Sequence, residues 1–202
     1  LAKVTDETRA SRWLPLVPPR RQVVNGTFDT DISGWELYDD GTGITQAASH
    51  DPNLGGDQDG ALQITISANS GSDNVTYLNA QPLGLNGQES ETVAAWVRTS
   101  NVNLVPRLCI AWYTDPEDAP VSIATEALWS PATGTGYRRA FGAIAPPEAE
   151  WFRVGVVVDT SSSATGTVRI DDVTLNDNDL LVSDVSPASL DVDVIVRPRF
   201  IP

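Results

Sequence analysis

From Val23 onward the chain breaks into short apolar runs separated by clusters of Gly, Asn, Asp and Pro. The runs are Leu62 to Ile66, Val75 to Leu78, Thr92 to Val97, Leu104 to Trp112, Tyr137 to Ile144, Trp151 to Val158 and Thr167 to Leu175. Runs of this length, rich in Val, Ile and Thr and bounded by turn residues, predict β-strands. Their number and spacing predict an all-β antiparallel β-sandwich of the jelly-roll kind. Helical periodicity, internal repeats and heptads are absent from the pattern. Alternation also assigns faces. In Trp151-Phe152-Arg153-Val154-Gly155-Val156-Val157-Val158 the residues Phe152, Val154, Val156 and Val158 share a core side, so Trp151 and Arg153 face away from it.

The ends read differently from the middle. Residues 1–22 run through Trp13-Leu14-Pro15-Leu16-Val17-Pro18-Pro19-Arg20-Arg21, an extended, Pro-stiffened arm with no core-forming period. The core domain is expected over 23–177, closed by the acidic turn Asn176-Asp177-Asn178-Asp179. In the tail, 178–202, the stretch Leu190 to Val196 sets Val against Asp, as an edge or added strand would. The arm holds Lys3, Arg9, Arg12, Arg20 and Arg21 against Asp6 and Glu7, a balance of 5 − 2 = +3, so the remainder of the −14 total is −14 − 3 = −17. A basic arm on an acidic body fits docking onto an acidic neighbour. Arg9, Arg12, Trp13, Arg20 and Arg21 in the arm, with Arg197 and Arg199 in the tail, are the docking candidates.

The same charge disfavours unaided nucleic-acid binding, which asks for a Lys/Arg stripe. Cys109 is the single cysteine, so no intramolecular disulfide forms, and its strand-like setting predicts a buried structural thiol. No run approaches the roughly 20 apolar residues of a membrane span, and no signal-peptide core is present at the N-terminus. His50 is the only histidine, placed in a loop by its neighbours Ser49, Asp51 and Pro52, and no Gly-x-Ser-x-Gly, zinc-spaced Cys/His cluster or phosphate-cradling loop accompanies it. Catalysis is therefore not expected. Two sequons occur, Asn25-Gly26-Thr27 and Asn74-Val75-Thr76.

Aromatic rings flanked by polar groups are the usual means of holding a sugar, and the sequence has six Trp. Trp35 and Trp112 read as core. Trp96 with Arg98, Trp151 with Arg153, and Tyr113 and Trp129 beside turns are the glycan-binding candidates.

Two segments carry a family resemblance. Asn25-Gly26-Thr27-Phe28-Asp29-Thr30-Asp31-Ile32-Ser33-Gly34-Trp35 resembles the opening of galactose-binding-like jelly rolls of the carbohydrate-binding-module type. Ile170-Asp171-Asp172-Val173-Thr174-Leu175 resembles their final strand, and Gly60 to Ile64, Ala95 to Thr99 and Ala145 to Ala149 fall in the expected order between. The resemblance covers about residues 23–177. It implies a structural Ca²⁺ at Asp29 and Asp171, with Asp57 in the neighbouring loop, which suits the hard oxygen ligands the ion prefers. Such domains occur as ancillary modules of polysaccharide-degrading enzymes and as bacteriophage tail and head appendages. The unexplained ends favour the second setting: a non-catalytic virion appendage or decoration protein, attached to other subunits through its arms. The alternative is a glycan-binding module of an extracellular polysaccharide-degrading or adhesion protein.

Overall fold

The computed structural model describes residues 22–53, 60–71, 73–85, 90–161 and 163–175. In order these form β1 (Trp35–Asp39), β2 (Ile44–Asp51), β3 (Ala61–Asn69), β4 (Asn74–Asn79), β5 (Leu83–Gly84), β6 (Ser90–Thr99), β7 (Leu104–Tyr113), β8 (Ser122–Thr125), β9 (Gly136–Ile144), β10 (Trp151–Thr160) and β11 (Gly166–Leu175). All seven apolar runs are strands. The six-stranded sheet has the order β1-β4-β10-β7-β8, with β5 on β10, and the five-stranded sheet the order β2-β3-β11-β6-β9. Every pairing is antiparallel.

Alternation explains why the two sheets close on each other. Phe152, Val154, Val156 and Val158 of β10 meet Val93, Ala95 and Val97 of β6, Leu62, Ile64 and Ile66 of β3, and Leu108, Ile110 and Trp112 of β7 in one core. Trp112 packs on Phe152 at 5.8 Å between ring centroids, and Phe28 on Trp35 at 5.3 Å, which plugs one end of the sandwich. Ala145 and Ala149 close the loop before β10, where the Ala149 N–H donates to the Pro146 carbonyl at 3.0 Å. Burial of this kind contributes ~25 cal/mol per Å² of apolar surface. Cys109 is fully buried, and burial pushes its thiol up to about 12.

Four strands escape the sequence pattern, for identifiable reasons. β2 turns Ile44, Gln46, Ala48 and His50 toward the other sheet, too polar a set to register as a strand. Its edge position tolerates this, and Tyr77 donates its hydroxyl to Gln46 across the sandwich. β1 buries only Trp35, while β5 and β8 are two and four residues long. His50 accordingly lies in β2 and not in a loop, its Nε2 2.7 Å from the Phe28 carbonyl oxygen. The opening motif is a folded corner: Asn25 Nδ2 donates to Asp31 O, Asp31 Oδ1 and Ser33 O, each at 3.0 Å, and Trp35 Nε1 donates to Asn25 O at 3.1 Å. The Asn25 amide of the first sequon is thus committed to the fold.

Candidate functional site: the outer face of the six-stranded sheet

Strand register sets the composition of the face that the six-stranded sheet turns away from the core. One row across the sheet is Glu36, Leu78, Gly155, Cys109 and Thr125 on successive strands. The next is Arg153, Ala111 and Ile123, and the row beyond it pairs Trp151 with Tyr113. On the other side, Val157 stands between Thr76 and Arg107. Leu78, Cys109, Ala111, Tyr113 and Val157 form a second, smaller buried cluster on this face, with Ile123 and Trp151 packed against it. The floor at its centre, Gly155, Cys109 and Ala111, is itself buried beneath the larger side chains around it.

Arg153 crosses one end of this floor. Its Nη1 donates to Glu36 Oε1 at 2.5 Å and its Nη2 to the Pro116 carbonyl at 3.0 Å, while the guanidinium lies 5.2 Å over the Tyr113 ring. Its Nε is buried without a hydrogen-bond partner. Tyr113 beneath is only 2% exposed, and burial pushes its phenol up to about 12 against the opposing pull of Arg153. A ring so covered offers no face to a ligand, so Tyr113 supports Arg153 from below. Trp151 is half-buried, and its indole lies over Gly84, with Cζ3 3.5 Å from where a Cβ on that glycine would sit. At the opposite end Arg107 forks onto Asp159, with Nη2 to Oδ1 at 2.9 Å, and Nη1 donates to Thr125 Oγ1 at 2.9 Å and Glu126 O at 3.0 Å. Such fixed, charge-assisted pairs hold their geometry without a ligand. The acids Glu36 and Asp159 are each engaged by an arginine, which suits them to hydrogen-bond a hydroxyl more than to transfer a proton.

The glycan-binding candidates therefore fall in three places. Trp151, Arg153 and Tyr113 share the face just described. Trp96 and Arg98 of β6 lie on the outer face of the five-stranded sheet. Trp129 sits at the seam between the sheets, its Nε1 donating to Pro106 O at 2.8 Å, its ring edge-on to Tyr137 at 5.0 Å and under the Arg139 guanidinium at 4.4 Å. Arg139 in turn pairs with Glu126. That wiring ties Trp129 into the sandwich. Glu36, Gly84, Gly155 and the Arg107–Asp159 pair went unnoticed in the sequence, because each owes its place to a partner strand remote along the chain.

Of the acids implied for calcium, Asp29 is exposed, Asp171 is fully buried with its Oδ1 accepting from Asp172 N at 2.6 Å, and Asp57 lies outside the described residues. Among the described residues no group of three or more His, Cys, Asp or Glu side chains is placed to hold a metal ion. Asp29 and Asp171 do not by themselves supply the six to eight oxygens that Ca²⁺ takes. The docking candidates Arg9, Arg12, Trp13, Arg20, Arg21, Arg197 and Arg199, and the strand expected at 190–196, also lie outside the described residues. No described helix is long and apolar enough to cross a membrane.

No family model matches the chain, and no curated protein sequence matches it. Solved structures do. The CBM22-1 and GH10 modules of the Clostridium thermocellum endo-1,4-β-D-xylanase 10B, complexed with xylohexaose, match with a TM-score of 0.55 at 18% identity, over 77% of this chain and 28% of that one. A β-sandwich carbohydrate-binding module studied for promiscuous specificity matches at 0.52 and 14% identity, over 75% of this chain and 59% of that one. A CBM61 module in complex with β-1,4-galactotriose matches at 0.50 and 14% identity, over 77% of this chain and 97% of that one. The chain thus spans about a quarter of the xylanase structure it matches. Likeness at these identities speaks to fold. The chain has the two-sheet, jelly-roll β-sandwich fold of carbohydrate-binding modules.

Proposed function

We propose that this protein is a non-catalytic glycan-binding module, working at an extracellular or virion surface as a component of a larger assembly. The sugar is received on the outer face of the six-stranded sheet. Trp151 carries the reading: a partly exposed indole, seated on Gly84, stands beside Arg153 at the end of the buried floor of Gly155, Cys109 and Ala111. A sugar ring stacks on the indole, while Glu36 and Arg153, already fixed against each other, present polar atoms to its hydroxyls. Prior fixing lowers the ordering cost of binding.

The test is affinity electrophoresis of wild type and Trp151→Ala in gels containing soluble xylan, galactan or β-glucan. Loss of a buried ring, worth ~1.5–3 kcal/mol, weakens retention about tenfold or more. Equal retention of the variant on every polysaccharide that holds the wild type removes Trp151 from the site and the reading with it.

Two further elements belong to this reading. Attachment to neighbouring subunits is assigned to the basic arm and to the tail, on the strength of the +3 and −17 division of charge. A structural calcium is assigned to Asp29 and Asp171, at the corner where residues 25–29 meet β11. Complete burial of the Asp171 carboxylate and the left-handed backbone at Asn25, Phe28 and Asp172 support it, and the remaining oxygens would come from carbonyls and from Asp57.

A further inference from the structure

We propose that the outer face of the five-stranded sheet carries a second site, at Trp96 and Arg98, that takes a carboxylate-bearing sugar, an isolated uronate unit within an otherwise neutral glycan. The inference rests on the reading of the chain as a glycan-binding module, but on different residues.

Trp96 is held flat against the neighbouring edge strand. A Cβ on Gly136 of β9 would come 2.5 Å from Trp96 Cζ2 and 2.6 Å from Cε2 and Nε1, so only glycine lets the indole lie where it does. Two residues on along the same face stands Arg98. Across this face the acids are already claimed: Asp51 accepts from Arg169 Nε at 2.8 Å, Asp172 lies 3.9 Å from Arg138 Nη1, and Asp171 is buried in the bulge of β11. Arg138 also donates to Asp172 O at 2.8 Å and Thr174 Oγ1 at 3.3 Å. Arg98 has no hydrogen bond or ion pair among the described residues, and neither has the Trp96 indole N–H.

The cross-strand register adds a second consideration. Arg98 is directly opposite Arg169, a like-charge pair of the kind that destabilises a sheet. A carboxylate set against Arg98 relieves that repulsion and completes a charge-assisted hydrogen bond, while the ring bearing it covers the indole. A neutral sugar does only the second. The chain's net charge of −14 opposes a densely charged polymer, which is why the fitting ligand is an isolated uronate.

The experiment is calorimetric titration with xylo-oligosaccharides bearing one glucuronate, with galacto-oligosaccharides bearing one galacturonate, and with the methyl ester of each. The wild type binds at least one acid about tenfold more tightly than its ester, a factor typical of one charge-assisted hydrogen bond. Arg98→Gln, at a half-buried surface position, melts in urea no earlier than the wild type and binds acid and ester alike. Trp151→Ala retains the preference for acid over ester, so failure of the Trp151 site and failure of this one are read separately. Equal binding of acid and ester by the wild type, absence of binding to both acids, or an undiminished preference in Arg98→Gln overturns the proposal.

Discussion

Gly155→Ala tests the packing that shapes the floor of the candidate site. The residue pairs with Leu78 on one side and Cys109 on the other, at the centre of the six-stranded sheet. A Cβ there would lie 2.6 Å from Leu78 Cδ2, 3.1 Å from Leu78 Cα, and closer still to the Tyr77 carbonyl oxygen. The leucine side chain can move. The Tyr77 carbonyl belongs to β4, whose ladder with β10 runs from Leu78 to Asn74, so yielding there disturbs five paired positions. Overpacking costs ~1–3 kcal/mol, and a backbone clash belongs at the upper end. Glycine in a strand is itself unfavourable by roughly 0.5–1 kcal/mol relative to Ala, which offsets part of the loss. The expected net destabilisation is about 2–2.5 kcal/mol, or a fall of roughly 4–10 °C in Tm for a domain of this size. Gly84→Ala is the control, since its Cβ meets Trp151 Cζ3 at an ordinary 3.5 Å and its cost should stay within ~0.5 kcal/mol. Urea melts followed by tryptophan fluorescence report both. If Gly155→Ala melts like wild type, or Gly84→Ala loses as much, the close β4–β10 approach is not what fixes the floor.

Acid should erode stability in a defined direction. Hydrogen bonding from Arg169 holds the Asp51 carboxyl below its ordinary value, and bonds from Ser33 and from the Thr42 amide do the same for Asp31 and Asp73. Their stabilisation is present above the unfolded carboxylate range and is lost as pH falls through the lowered folded values. Tm should therefore drop below about pH 4, less steeply in Asp51→Asn, and parallel curves for the two proteins would refute the assignment. Chelation by EDTA should lower Tm and added Ca²⁺ restore it, as for a ligand bound only by the folded state, with Asp171→Asn abolishing the response. Superimposable melts with and without chelator would remove the ion from the account. Deleting residues 1–22 should leave the Tm of the jelly roll nearly unchanged while abolishing its capture by subunits of its native assembly. Normal capture by the shortened protein would end the role given to the arm.

The sandwich was legible wherever a strand is buried on its own account. β10 and β7 alternate or run apolar over ten residues each, and their faces could be assigned from the residues alone. β2 was not legible, because a strand at a sheet edge can turn Gln46 and His50 inward and satisfy them with Tyr77 and the Phe28 carbonyl. The site was legible by halves. Alternation correctly turned Trp151 and Arg153 away from the core, but the same local logic made Tyr113 a contact residue, when the cover it receives from Arg153 depends on a neighbouring strand. Trp96 and Trp151 looked equivalent for the same reason: only sheet order shows that β6 and β10 lie in opposite layers. Glu36, the partner that fixes Arg153, is 117 residues away in sequence and joins it through the β1-β4-β10 order.

The most direct test of the central claim, that a glycan lies on the outer face of the six-stranded sheet, is an ¹⁵N–¹H correlation titration of the protein with xylohexaose, β-1,4-galactotriose and cellohexaose. For at least one of these, saturable shifts are expected at the Trp151 indole N–H and the Arg153 and Gly155 amides, with the Trp129 indole unmoved. No saturable shift with any of the three, or shifts confined to β6 and β9 of the opposite sheet, would contradict it.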